Sequence, residues 1–102
     1  MRTLAGVREL IRPDERDRVL RTFLGPAGRL RTMPRPGRKR QIVLEHIVTV
    51  FVPGERYPEP KVNAILRAFH DDVAALRRYL VEAELLERAD GVYWRIGGVI
   101  DL

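Results

Sequence analysis

The chain has 102 residues, 45% hydrophobic and 32% charged, with 19 Lys and Arg against 14 Asp and Glu for a net charge of +5. That length suits one domain and is too short for a doubly wound nucleotide-binding fold or a closed α/β barrel. The apolar content excludes a disordered chain, and no run nears the ~20 residues of a membrane span. Cysteine and serine are absent, which removes disulfides, thiol and serine nucleophiles and cysteine-based zinc sites.

Residues 1–25 read as two short amphipathic helices. Leu4, Val7, Leu10 and Ile11 recur at helical spacing, and Pro13-Asp14-Glu15 supplies a second helix start with early acids. Val19, Leu20, Phe23 and Leu24 form the stripe of that second helix, which Gly25-Pro26 stops. Residues 1–9 show no apolar stretch of the secretory kind, so a cytoplasmic location is expected.

Residues 26–37 carry Pro26, Pro34, Pro36, Gly28 and Gly37, too many breakers for a helix. A short extended piece over Arg29–Met33, anchored by Leu30, fits there. The segment is also strongly basic. Arg29, Arg31, Arg35, Arg38, Lys39 and Arg40 fall within residues 29–40, which contain no acid.

Residues 38–96 carry the main pattern. Ile42, Val43, Ile47, Val50 and Phe51 give a wide apolar face over Arg38–Phe51, with Gln41, Glu45 and Thr49 opposite, and Pro53-Gly54 ends the helix. A second helix is expected from about Glu59 to Phe69, with Pro60 in its first turn and Val62, Ile65, Leu66 and Phe69 inward. His70-Asp71-Asp72 reads as an acidic cap for a third helix that packs through Val73, Leu76, Leu80 and Ala83. Leu85–Arg88 is extended, Asp90-Gly91 makes a tight turn, and Val92–Ile96 returns as a strand. The remaining residues, 97–102, form an apolar tail with Val99, Ile100 and Leu102, suited to docking on the body or on a partner.

The fold expected is therefore mainly α with a β-hairpin: a winged helix-turn-helix over 38–96, preceded by short N-terminal helices. The run Phe23-Leu24, Gly28-Arg29-Leu30 and Met33-Pro34, followed by Val43-Leu44-Glu45-His46-Ile47, carries a family resemblance. So do Phe69-His70-Asp71, Leu76-Arg77-Arg78-Tyr79-Leu80-Val81, Leu85-Leu86-Glu87-Arg88 and Tyr93-Trp94-Arg95, the stretch from Tyr57 to Arg95 being the most specific. Over roughly residues 20–96 the chain resembles a small bacterial winged-helix domain of unknown function, often fused behind ArsR- or LuxR-type transcriptional regulators. The resemblance implies a connection with transcription regulation and brings no catalytic or ligand-binding residues with it. Too little chain precedes residue 20 for a regulator domain, so a stand-alone protein is expected.

Charge placement bears on the partner. Residues 1–40 hold twelve bases and four acids, a net +8, and residues 41–102 seven bases and ten acids, a net −3. The third helix is a poor base-reading surface, because turning Val73, Leu76 and Leu80 inward leaves Asp71, Ala75, Arg78 and Glu82 outward. The basic segment is the better candidate for nucleic acid, since cations in an extended, proline-rich chain suit phosphate backbones. The residues expected to bind are Arg29, Arg31, Arg35, Arg38, Lys39, Arg40 and Arg78, joined by Arg88 and Arg95 flanking the hairpin. A solvated linker that pairs with the acidic body is the competing account. DNA is the expected partner, with RNA indistinguishable on charge. A homodimer or a partner regulator, docked through the N-terminal helices and the apolar tail, is the alternative. No enzymatic role, cofactor or metal is expected: His70-Asp71-Asp72 suits capping better than coordination. Tyr57, Tyr79, Tyr93 and Trp94 suit packing better than base stacking.

Overall fold

A computed structural model describes residues 12–98, so the expected helix around Leu4–Ile11 and the apolar tail from Val99 lie outside the described residues. Among those described there are four helices and a three-stranded antiparallel sheet. In chain order these are α1 (Pro13–Phe23), α2 (Arg38–Val48), β1 (Arg56–Pro58), α3 (Glu59–Leu66), α4 (Val73–Glu82), β2 (Leu86–Ala89) and β3 (Val92–Arg95). No described helix is long and apolar enough to cross a membrane.

The helices begin and end where their local chemistry directs. Proline occupies the first turn of both α1 and α3, where its missing N–H has no helical partner to lose. At α4 the Asp72 carboxylate accepts from the Ala75 N–H at 3.1 Å, and His70 Nδ1 accepts from the Asp72 N–H at 3.0 Å. The acidic cluster is thus a cap, and no group of three metal-ligating side chains occurs among the described residues. In contrast, α2 opens on Gly37 with three cations and no acid in its first turn. Cations at the positive end of a helix dipole oppose helix stability.

Helix α2 is the centre of the core. Ile42, Val43, Leu44, Ile47, Val48 and Phe51 are all buried, with Val62, Leu66, Leu76, Leu80, Leu86 and Tyr93 closing around them. The helix stops at Val48, short of the expected Phe51. Two turn bonds, from the Val50 N–H to Ile47 and from the Phe51 N–H to Val48, swing the chain around. Phe51 is thereby buried while Val50, expected on the apolar face, is exposed. The expected extended piece is stitched down: Leu24 and Leu30 form an antiparallel bridge, and the Leu30 N–H reaches the Phe69 carbonyl.

The hairpin expectation is enlarged to a sheet of order β1-β3-β2. Asp90 and Gly91 both take positive φ, 54° and 77°, the geometry that a two-residue hairpin turn demands. The strand Arg56–Pro58 was not expected, because three residues with a proline carry little strand signal. Its edge position removes the objection, since an edge proline loses no ladder bond. Register places Arg56 and Glu87 beside Trp94, and Tyr57 and Arg88 beside Tyr93. Strand alternation then sends Leu86, Arg88, Tyr93 and Arg95 to one face and Glu87 and Trp94 to the other.

Candidate nucleic-acid interface

The basic run from Arg29 to Arg40 does not form one strip. Arg29 turns to the start of α4, donating to the Arg67 carbonyl at 2.6 Å and to Asp71 at 2.8 Å. Arg31 makes a long bond of 3.4 Å to the Leu24 carbonyl. Arg38 is held by Glu15 of α1 through two contacts, 2.5 and 3.1 Å, and this pairing lowers the Glu15 carboxyl from its ordinary range. Arg40 points elsewhere: it donates to the Pro34 carbonyl at 2.8 Å and lies 4.3 Å from the centre of the Tyr79 ring. Arg35 and Lys39 are exposed. Within the first turn of α2, Arg38 and Arg40 point about 200° apart, since successive residues rotate by about 100°.

A different set of cations converges between α4 and the hairpin. A cleft of about 430 Å³ is lined by Ala74, Arg77, Arg78, Val81, Glu82, Arg88 and Tyr93. Arg78 is exposed and lies 5.2 Å from the Tyr79 ring, which Arg40 also approaches. Arg88 reaches the cleft because strand alternation puts it on the face of Tyr93, whose hydroxyl it meets at 3.3 Å. That hydroxyl donates to Glu59 at 2.9 Å. Arg77 is held by the Asn63 side-chain carbonyl and lies 3.7 Å from the same Glu59. Glu82 is the one carboxylate among the described residues that line it.

Arg95 is placed against expectation. It is buried, with its guanidinium donating to the carbonyls of Gly97 at 2.9 Å and Phe51 at 3.2 Å, so it ties the end of β3 to the turn after α2. The reason is parity: Arg95 is two residues from Tyr93 and shares its inward face. Arg77 is the cation that the sequence reading missed. Its position beside Arg78 was visible, yet what it faces depends on where the hairpin folds back.

Asp71, which would repel phosphates, is compensated by Arg29. Arg56 stacks over Trp94 at 4.2 Å on the outer face of the sheet, away from the cleft. His46 is half-buried against the edge of the Phe69 ring. Burial lowers its pKa, and the nearby Arg16 lowers it further.

Residues 29–95 match a family model described as an uncharacterized protein conserved in bacteria, DUF2087. The chain belongs to this family. The match starts at Arg29 and runs through β3, so both the basic segment and the cleft are family territory, whereas α1 precedes it. No curated protein and no solved structure shows significant similarity to the DUF2087 chain.

Proposed function

We propose that this DUF2087 protein is a winged-helix domain acting in transcription regulation, which holds DNA chiefly through the phosphate backbone. In this reading α3 and α4 are the helix-turn-helix, and β2–β3 is the wing. The observation that carries it is the convergence of Arg77, Arg78 and Arg88 on the cleft between α4 and the hairpin. A groove walled by cations and low-dielectric protein focuses positive potential where a strand of phosphates can lie. Arginine suits the task, because its planar fork meets phosphate oxygens in pairs.

The basic segment joins this surface at one point. Arg40 and Arg78 both approach Tyr79, so the start of α2 and the exposed side of α4 share one cationic edge. Base readout has little to work with, since Ala74, Arg78 and Glu82 dominate the exposed side of α4. Sequence-independent grip with steep salt dependence is the expected behaviour.

The test is a salt titration of binding to duplex DNA by the full chain and by Arg78→Ala/Arg88→Ala. Each lost phosphate contact removes about 0.9 from the slope of log K against log salt, so the double variant should lose roughly two units and bind weakly. Unchanged affinity at low salt would overturn the reading. Equal or tighter binding of duplex RNA would replace DNA as the partner.

A further inference from the structure

We propose that the groove between α1 and the chain leading into α2 is a docking site for an acidic, amphipathic segment of a partner protein. This groove, of about 590 Å³, has Phe23, Met33, Pro34 and Pro36 as its apolar lining and Arg35, Arg38 and Lys39 as its polar rim. Among the described residues no carboxylate lines it. Phe23 and Met33 are half-buried and packed on the core, so their remaining surface is held in place and open to an incoming apolar side chain. The two prolines fix the backbone of the far wall, so the groove itself has little left to order when a segment binds.

Charge complementarity selects the occupant. Arg29 and Arg40 are drawn onto the body of the domain by the contacts described above, whereas Arg35 and Lys39 are exposed at the groove's edge. Arg38, paired with Glu15, ties the start of α2 to α1 beside the groove. Lys39 belongs to a helix start that carries three cations against the dipole and no acid. A carboxylate brought to this rim answers both the side-chain charge and the helix end. A nucleic-acid backbone gains nothing from the apolar floor, whereas a leucine or phenylalanine flanked by glutamates matches floor and rim together. The site uses none of Arg77, Arg78 or Arg88, and it stands independently of the DNA reading.

The experiment is an amide NMR titration of the full chain with a short synthetic peptide carrying leucines on one helical face and glutamates on the other. Saturable shifts at Phe23, Met33, Arg35 and Lys39 are expected. They should vanish when serines replace the leucines. The charge-reversing variant Arg35→Glu/Lys39→Glu, at exposed positions, should weaken binding by about tenfold or more and accept a lysine-bearing version of the peptide instead. Absence of shifts at these residues overturns the proposal, as does equal binding of the lysine peptide by the unaltered protein. So does the same set of shifts produced by duplex DNA or by raising the protein concentration alone. Deletion of residues 1–11 that moves these resonances, with no response to the peptide, would assign the groove to the chain's own beginning and overturn it too.

Discussion

The phenol of Tyr93, buried without exposed surface, donates a 2.9 Å hydrogen bond to Glu59, the first residue of α3. The same hydroxyl accepts from Arg88 at 3.3 Å, and Glu59 also lies 3.7 Å from Arg77. One carboxylate therefore organises both walls of the cationic cleft. Tyr93→Phe keeps the ring and should cost about 1 kcal/mol in urea denaturation, the usual size of one lost hydrogen bond. Glu59→Gln makes the sharper test. Because Glu59 positions both Tyr93 and Arg77, Glu59→Gln should weaken the DNA binding proposed above in the same salt titration, whereas Glu82→Gln in that cleft should tighten it.

Phe51 and Val50 are neighbours with opposite fates, fully buried and 43% exposed. Phe51→Ala should cost about 3–5 kcal/mol, the range for a large side chain deleted from a core. Val50→Ala should stay within about 0.5 kcal/mol. Similar losses at both positions, measured by chemical denaturation, would contradict the end of α2 at Val48.

Asp72 caps α4 through the Ala75 N–H. Asp72→Ala should lower stability by about 1 kcal/mol, and asparagine should restore most of it, because either side-chain oxygen accepts the bond. Circular dichroism melts of the two variants separate a cap from a simple charge effect.

His46 carries a pKa lowered chiefly by burial, so the folded state disfavours its charged form. The unfolded chain then binds the proton more readily, and stability falls as pH drops from the ordinary imidazole value toward the lowered one. Above that window the residue contributes no pH dependence. His46→Gln should flatten the fall in denaturation midpoint between neutral pH and about pH 5. A slope unchanged from the parent protein would count against burial as the cause.

Gly97 meets the chain at close quarters. A Cβ there would lie 2.7 Å from the Glu84 carbonyl oxygen, a backbone atom with little room to yield. Gly97→Ala should destabilise by about 1–3 kcal/mol, the cost of overpacking. Gly28→Ala, where a Cβ meets nothing but φ is +80°, should show the smaller conformational penalty of about 1 kcal/mol. Thermal melts rank the two.

The periodic segments were legible because hydrophobic spacing reports a local property of the chain. Val19, Ile42, Val62, Val73, Leu76 and Leu80 were all read as inward, and all are buried. The Asp90-Gly91 turn and the Asp72 cap were equally readable, since each rests on the backbone needs of two or three adjacent residues. Strand β1 was hidden because it exists only as a partner for β3. Arg95 was misread for a related reason: its inward side is set by the register with Leu86, and no local feature of Tyr93-Trp94-Arg95 reveals which face meets α4.

Composition and spacing alone established a small basic-fronted domain, its helix and hairpin order, and most of its core. Those properties follow from interactions between residues near one another in the chain. The directions of the arginines did not. Whether a guanidinium reaches solvent, a carboxylate or a neighbouring cation depends on groups distant in sequence, as with Arg38 and Glu15 or Arg88 and Tyr93. Folding alone split the run from Arg29 to Arg40 and gathered Arg77, Arg78 and Arg88, because long flexible cations settle only after the surfaces around them have formed.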